Sequence, residues 1–182
     1  MLIIVYITIM KKVSLLITIV SFDGVDLVSH TESVNFKKDI KKTIEKVVAK
    51  FSNGDFVSKL LDVSEDKNKL IISYYITIDY DDILDEVTKL FQPFDENVDS
   101  DLMQELKSDV EQFNPIVLRM LLGNLFTIDD LHYLYELVLG ESFDKGNFHK
   151  IVKKKDWLKP TKKFLNKVKY RPPRLYTITF KK

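Results

Sequence analysis

The chain has 182 residues, of which 45% are hydrophobic and 30% are charged, a composition that is typical of a globular protein and excludes an intrinsically disordered one. Five Gly and five Pro are too few for a collagen-like or linker sequence, and the absence of Cys excludes disulfides, thiolate zinc sites and a cysteine nucleophile. The formal net charge of +1 conceals a strong asymmetry between the front of the chain and its end.

The first 22 residues, MLIIVYITIMKKVSLLITIVSF, are mostly apolar. Lys11 and Lys12 lie in the middle of this stretch, where two charges oppose membrane insertion. No basic segment precedes it and no small-residue cleavage site follows it, which disfavours a signal peptide. We therefore expect a β-hairpin, with Met10 as an alternative start. Without Cys or a membrane segment, the sequence favours a cytoplasmic protein that does not contact membranes.

Strand patterns dominate the front of the chain. Residues 13–20 are mostly β-branched or Leu, which predicts a buried strand. Asp23-Gly24 predicts a tight turn and a returning strand over 25–29. Strands are also predicted over 55–63 and 69–79, with a polar turn at 64–68 between them. In the last of these, Tyr74 and Tyr75 point to opposite faces, one into the core and the other towards a ligand or a dimer partner.

Helical spacing first occurs from Phe36 onwards and predicts a helix that ends near Asn53-Gly54. Apolar spacing predicts a second helix around 83–90 and a third from Leu102 through Phe113, which continues to Met120 with a bend at Pro115. The loop 92–100 between them is the best candidate for a domain boundary. Residues 79–111 hold 12 Asp or Glu and two Lys, and we interpret the acidic cluster 79–86 as favouring a helix N-terminus rather than a cation site.

The tail has stronger local signals. Thr127, with Asp130 three residues later, predicts the capped start of a helix over 127–139, and Gly140 predicts its end. Asp144 predicts the cap of a further helix over 145–155. On that helix, Phe148, Ile151 and Val152 are expected to face inward, and the outward positions are Lys145, His149, Lys150, Lys153 and Lys154. Residues 174–180, RLYTITF, predict a final strand.

Residues 144–182 contain 14 Lys or Arg and two Asp, a net charge of +12, whereas residues 1–143 have a net charge of −11. A helix, a short turn, a second helix with a basic outer face and a basic hairpin follow one another in the order of a winged helix-turn-helix. Lysines would bind phosphates, and Asn147 and His149 could read base edges. The wing cations would be Lys162, Lys163, Lys167, Lys169, Arg171 and Arg174. A solvated basic face explains the pattern equally well.

Several residues of the tail also follow the pattern of a known family. The stretch FTIDDLHYLYELVLGESFDKGNFHKIVKKKDWLKPT, followed by YRPPRLYTITF, resembles the C-terminal winged helix of the Nudix-related transcriptional regulators, the NrtR group. The matching positions are Phe126-Thr127, Leu131, Tyr135-Glu136, Leu139-Gly140, Asp144-Lys145, Asn147-Phe148-His149-Lys150, Leu158-Lys159-Pro160-Thr161 and Arg171-Pro172-Pro173-Arg174-Leu175-Tyr176. This resemblance implies a homodimer that binds operator DNA, with an N-terminal Nudix domain that senses ADP-ribose or a similar nucleotide.

The front of the chain resembles a reduced Nudix domain, with 13–30 as the first hairpin and 36–51 in place of the Nudix helix. A working Nudix box needs clustered glutamates that bind magnesium beside a pyrophosphate, and the aligned helix has only Asp39 and Glu45. Much of the nucleotide pocket is also missing, because no WxLPGG-like strand lies between Ser29 and Phe36. Compared with the family that it resembles, the chain is therefore expected to lack diphosphate hydrolysis and a cofactor and to have a reduced effector pocket.

The sequence carries no other recognisable catalytic motif. His30, His132 and His149 lie far apart without metal-ligand spacing, and we interpret His132 as solvated. There is neither a P-loop nor a GxSxG elbow.

We therefore expect an α+β protein in which a truncated Nudix-like α/β sandwich (10–95) is joined by a linker helix (96–114) to a winged helix-turn-helix domain (115–182). The expected function is that of a DNA-binding transcriptional regulator rather than an enzyme. The predicted DNA contacts are Lys145, Asn147, His149, Lys150, Lys153, Lys154, Lys169, Arg171 and Arg174. Two alternatives stay open: a Nudix hydrolase acting on a nucleoside diphosphate derivative such as ADP-ribose, and a protein-interaction module with a basic tail.

Overall fold

The computed structural model describes residues 12–36, 39–66, 69–95, 100–165 and 172–180. A mixed sheet forms the front of the molecule. Its strands are β1 (Lys12–Phe22), β2 (Leu27–Asn35), β3 (Phe56–Asp66), β4 (Lys69–Ile78) and β5 (Gln92–Pro93). Their order across the sheet is β3-β4-β1-β2-β5, in which β1 and β4 are parallel and the other pairs are antiparallel.

The apolar sequence of β1 follows from its central position in the sheet, where it is hydrogen-bonded on both edges. Leu15, Ile17 and Ile19 are fully buried on one face, which accounts for the apolar run. At the end of β1, Gly24 adopts φ +95° and the Asp23 carboxylate accepts hydrogen bonds from the backbone N–H groups of Val25 (2.9 Å) and Asp26 (2.8 Å). The predicted Asp-Gly hairpin is confirmed, and its second strand runs on to Asn35.

Helix α1 (Ile40–Val48) packs on the face of the sheet that Leu15, Ile17 and Ile19 line. It begins four residues later than the predicted start at Phe36, since the N–H of Phe36 still donates to the carbonyl of Val13 (2.9 Å) and extends the strand pairing. Asp39 then caps the helix by accepting a hydrogen bond from the N–H of Lys42 (3.1 Å).

The segment after β4 is not the α-helix that apolar spacing predicted around 83–90. It forms two 3-10 helices, Tyr80–Asp82 and Asp85–Leu90. Between them the N–H of Leu84 donates to the carbonyl of Phe51 (2.8 Å), and Ile83 pairs with Ser52. These contacts with the chain after α1 hold the backbone extended at Ile83 and Leu84, so one continuous helix cannot form.

A helical layer covers part of the opposite face of the sheet. Its helices are α2 (Ser100–Glu111), α3 (Pro115–Leu122), α4 (Ile128–Leu139) and α5 (Lys145–Val152), followed by β6 (Leu158–Phe164) and β7 (Arg174–Ile178), which form a second, antiparallel sheet. One apolar cluster joins these elements to the sheet residues Val20, Phe22, Leu27 and Tyr75. No helix in the described ranges is both long enough and apolar enough to cross a membrane.

The predicted helix from Leu102 to Met120, with its bend at Pro115, is two separate helices that meet at this proline. Phe113 adopts φ +53°, a left-handed conformation that ends α2. The side chain of Asn114 then accepts a hydrogen bond from the N–H of Ile116 (3.2 Å), and Pro115 occupies the first turn of α3.

Asp109 connects the sheet to the helical layer. This carboxyl group on α2 is 8% exposed and accepts hydrogen bonds from the Tyr75 hydroxyl of β4 (2.5 Å), from Lys59 Nζ of β3 (3.2 Å) and from Asn114 Nδ2 (2.8 Å). Desolvation raises the pKa of Asp109, whereas the hydrogen bonds from Tyr75, Asn114 and Lys59 lower it, and the net shift is downward from 3.8. Asp109 is therefore ionised in the folded protein at neutral pH.

The strand β3 lies at the edge of the sheet and reaches Asp66, past the turn that was predicted to begin at Ser64. Its pairing with β4 shifts register between Leu60 and Asp62, which marks a β-bulge. Leu60 and Val63 are about half exposed on this strand.

We expect Asp109→Asn to reduce the free energy of unfolding at pH 7 by about 2 kcal/mol, because hydrogen bonds to a charged, mostly buried acceptor are lost. The pKa of Asp109 is lowered in the folded state, so this stabilisation is present above the unfolded value of 3.8 and is lost as pH falls through the lower folded value. Denaturant unfolding of both proteins between pH 7 and pH 2.5 measures the difference.

Glu105→Gln is the matched control, since Glu105 also pairs with Lys59 (2.7 Å) but its side chain is 45% exposed, and its effect should stay below about 1 kcal/mol. A cost of Asp109→Asn that does not change with pH would show that the carboxylate charge is not what stabilises this junction.

Candidate nucleic-acid interface

Helix α4 is held at both ends by the residues that the sequence predicted. Thr127 Oγ1 accepts a hydrogen bond from the N–H of Asp130 (3.1 Å), and the Asp130 carboxylate accepts one from the N–H of Thr127 (2.7 Å), which completes a capping box. Gly140 ends the helix with φ +71°. The capped start and the glycine end are both confirmed.

The turn between α4 and α5 is fixed by two side chains of α4. His132 Nε2 donates to the carbonyl of Phe143 (3.0 Å), and Glu136 accepts from the N–H of the same residue (2.8 Å). His132 is buried, so the interpretation that it is solvated is wrong. The sequence signal for this arrangement was the spacing of His132 and Glu136, because residues four apart lie on one face of a helix.

Helix α5 begins where it was predicted and ends earlier. Asp144 caps it by accepting a hydrogen bond from the N–H of Asn147 (2.7 Å). The helix stops at Val152 instead of reaching Lys155, and the chain then tightens into turns in which Lys155 N donates to the carbonyl of Val152 (2.9 Å). The Lys155 ammonium lies over the Phe113 ring, 4.5 Å from its centroid, and so points towards the aromatic core.

Aromatic side chains support the inner face of α5. Phe148 lies 5.2 Å from Tyr135 and 6.0 Å from Phe113, measured between ring centroids, and both Phe148 and Val152 are buried. Ile151 is 44% exposed, so its predicted inward orientation is wrong. With a helix rotation of about 100° per residue, Phe148 and Val152 share one face, and Ile151 falls at its margin.

The outer face of α5 and of the turn after it carries two groups of basic side chains. Lys150, Lys153 and Lys154 are exposed and have no ion pair among the described residues, and Asn147 is exposed beside them. Lys145 and His149, in contrast, are both bound to Asp129 near the start of α4. The sequence pattern placed the four lysines on the outside correctly, but the His149 side chain is only 27% exposed, and the pattern did not indicate its pairing.

The carboxylate of Asp129 lies between these two partners. Its Oδ2 is 2.9 Å from Lys145 Nζ, and its Oδ1 accepts a hydrogen bond from His149 Nε2 (3.0 Å). Desolvation raises the pKa of Asp129, while the hydrogen bonds and charges of Lys145 and His149 lower it, and the net shift is downward. The carboxylate therefore carries a full negative charge within a basic surface.

The hairpin β6–β7 has the position of a wing. Its second strand is tied to the start of α4, because Phe126 and Tyr176 exchange backbone hydrogen bonds of 3.2 and 2.7 Å. The Arg174 guanidinium is exposed and lies 5.5 Å from the centroid of the Phe164 ring. Lys162 and Lys163 are exposed on β6, whereas the predicted contacts Lys169 and Arg171, together with Lys167, lie outside the described residues.

A groove of about 180 Å³ separates α5 from the wing. Its lining includes Asp129, His149, Lys153, Arg174 and Tyr176. Two cations from different elements, Lys153 and Arg174, thus face a single groove together with Asp129 and the first turn of α4. A groove of this kind can seat an anionic phosphate near Lys153 and Arg174.

Among the described residues, no group of three His, Asp or Glu side chains is placed to hold a metal ion. The carboxylate of Asp39 caps α1, and Glu45 lies 4.0 Å from Lys41. Both of the carboxylates that align with the Nudix box thus have a partner on α1.

Comparison with known proteins is consistent with this geometry. Residues 119–178 match the family model of the NrtR DNA-binding winged helix domain. A structure of Shewanella oneidensis NrtR complexed with a 27mer DNA superposes with a TM-score of 0.75 at 12% identity, covering 92% of this chain and 93% of that one. A second structure of Shewanella oneidensis NrtR gives a TM-score of 0.72 at 11% identity and covers 93% and 94%. No curated protein sequence matched significantly.

The C-terminal part of this chain is therefore similar to the NrtR winged helix domain, and the chain shares the fold of the NrtR structures. The predicted resemblance and the predicted mixed α and β fold class are confirmed. Since the identity to the solved structures is low, the structural similarity concerns the fold alone.

We expect Phe148→Ala to destabilise the protein by about 3–5 kcal/mol, because it removes an aromatic ring from the packed face of α5. Ile151→Ala, a truncation of a largely exposed neighbour on the same helix, should cost about 0.5 kcal/mol or less. Denaturant unfolding monitored by circular dichroism measures both. Equal losses would mean that α5 is rotated relative to the structure described here.

Proposed function

We propose that this protein is a DNA-binding transcriptional regulator that contacts duplex DNA through its winged helix domain. The observation that carries the proposal is the match of residues 119–178 to a DNA-binding winged helix domain. Exposed lysines of α5 and of the turn after it lie on the outer face of this domain. A relative with the same fold has been solved in complex with a 27mer DNA.

In this proposal the cations of α5 and the wing bind phosphates. Lys150, Lys153 and Lys154 are exposed without ion pairs among the described residues, so they can meet the backbone without first breaking a contact. Asn147 is the residue of α5 that is best suited to a base edge, because its amide can both donate and accept. Lys145, His149, Lys169, Arg171 and Arg174 complete the proposed interface.

The domain division of the sequence analysis is also part of the proposal. DNA contact would be confined to 115–182, with 96–114 as a linker helix and 10–95 as a Nudix-like domain. The acidic front supports this arrangement, because its net charge of −11 over residues 1–143 repels DNA phosphates from the rest of the surface.

We further propose that the chain does not hydrolyse nucleoside diphosphate derivatives. Its support is the surroundings of the two aligned carboxylates, since Asp39 caps α1 and Glu45 lies 4.0 Å from Lys41. We also propose that the pocket for a nucleotide effector such as ADP-ribose is reduced. One groove, which lies between α1 and the sheet and is lined by Tyr74, measures about 350 Å³, at the small end for ligand pockets.

Two further features belong to the same proposal. A homodimer would place its two recognition helices about one turn of DNA apart, as helix-turn-helix dimers do, and light scattering with and without DNA measures the number of chains in the complex. The proposed location is the cytoplasm. Fractionation of cells that express the protein tests this location.

Gel shifts on genomic DNA fragments over a salt series test DNA binding. We expect log affinity to fall with log salt concentration by about 0.9 for each neutralised phosphate. The double variant Lys150→Glu with Lys153→Glu should weaken binding about 50-fold or more at 0.1 M salt, because each lost phosphate contact is worth about eightfold under those conditions.

The matched control is Lys42→Glu with Lys46→Glu, which makes the same charge change on the exposed side of α1 and should bind DNA nearly as the unaltered protein does. Equal losses in both double variants would indicate a general charge effect rather than a site on α5. If no fragment binds but an acidic protein partner does, the chain is an interaction module and the regulator proposal fails.

Incubation with ADP-ribose and magnesium should release no AMP above the rate without protein, as measured by chromatography. Titration calorimetry on the same mixture reports whether ADP-ribose binds at all. Turnover that is lost in Glu45→Gln would contradict the non-enzymatic proposal and favour the Nudix hydrolase.

A further inference from the structure

The basic surface of the winged helix contains one carboxylate that binds both a lysine and a histidine of α5. Asp129, at the second position of α4, contacts Lys145 (2.9 Å) and His149 (3.0 Å), which lie one turn apart on α5. Its side chain is 49% exposed, so the carboxylate is accessible to whatever approaches this face. Neither the capping box of α4 nor the aromatic core requires these contacts, because Thr127 and Asp130 already cap the helix.

Two further cations lie close to Asp129. The groove that it lines also contains Lys153 and Arg174, which have no ion pair among the described residues. A DNA phosphate that enters this groove would be attracted by those two cations and repelled by the Asp129 carboxylate a short distance away. Lys145 and His149 could bind the same phosphate only after leaving Asp129.

We propose that Asp129 is a specificity-determining residue for duplex DNA, which withholds Lys145 and His149 from phosphates on non-matching sequences. This inference rests on the proposed function. Discrimination between DNA sites often needs a repulsive element, since cations alone bind all sequences with similar affinity. Asp129 supplies that element, and base contacts of a matching site compensate for breaking its ion pairs.

The strength of these ion pairs suits such a role. Pairs between partly exposed side chains stabilise a protein by about 0–1 kcal/mol each, so they compete with a phosphate without excluding it. A purely structural role is the plain alternative, because an acidic side chain in the first turn favours the helix dipole. That role would affect the stability of α4 but not the salt dependence of DNA binding.

The test compares the full-length protein with Asp129→Asn on two duplexes. One duplex is selected by the unaltered protein from a random library, and the other has the same bases in scrambled order. On the scrambled duplex, Asp129→Asn should bind about eightfold more tightly at 0.1 M salt for each released cation that reaches a phosphate. Its log–log salt slope should steepen by about 0.9 per cation, and its preference for the selected duplex should fall.

Glu141→Gln provides the control for net charge. Glu141 is an exposed acid in the turn between α4 and α5, and its neutralisation changes the total charge by the same amount. We expect it to leave both the slope and the preference nearly unchanged. Thermal unfolding of each variant confirms that the compared proteins are folded at the assay temperature.

The outcomes separate the two proposals. If the unaltered protein selects a duplex but Asp129→Asn keeps the same slope and preference, or if both variants change alike, the role of Asp129 is overturned and the regulator proposal stands. If the unaltered protein binds no duplex, the regulator proposal is overturned, and this inference falls with it.

Discussion

The ionised carboxyl group of Asp109 forms the polar contact between the sheet and the helical layer on which the position of the winged helix depends. It receives hydrogen bonds from Tyr75 and Lys59 in the sheet and from Asn114, which in turn caps α3. Because Asn114 serves both purposes, the start of α3 is fixed relative to the sheet. A buried acceptor of this kind is costly to leave unsatisfied, so alternative placements of α3 lose hydrogen bonds as well as packing. The position of the winged helix therefore depends on a polar contact in addition to the apolar core.

Local sequence signals predicted much of the winged helix correctly. The capping box of Thr127 and Asp130, the left-handed Gly140 and the Asp144 cap each depend on residues within a few positions, and all of them are present in the structure. The Asp23-Gly24 hairpin was predictable for the same reason. A turn or a helix end is decided by the backbone preferences of a short segment, and the rest of the fold has little influence on it.

Predictions that depended on distant contacts were less successful. The region 83–90 has helical spacing, but the hydrogen bond from Leu84 to Phe51 holds the backbone extended there. The 3-10 helix Asp85–Leu90 is thereby separated from the one before it, Tyr80–Asp82. The polar side chain of His132 was predicted to be solvated, yet it is hydrogen-bonded to the carbonyl of Phe143 in the turn between α4 and α5. The pairing of Asp129 with Lys145 and His149 joins two helices, so neither the periodicity of α4 nor that of α5 could reveal it. Periodicity identifies which face of a helix is buried, but not which partner occupies it.

The register shift in β3 has a consequence for how the protein behaves at high concentration. A long edge strand with half-exposed Leu60 and Val63 offers free backbone groups to a neighbouring chain, which is the usual route to fibrillar assembly. The bulge between Leu60 and Asp62 breaks the regular spacing of those groups, and Asp62, Glu65 and Asp66 add like charges to any second copy of the strand. The bulge and these charges thus disfavour the addition of a strand from another chain at this edge.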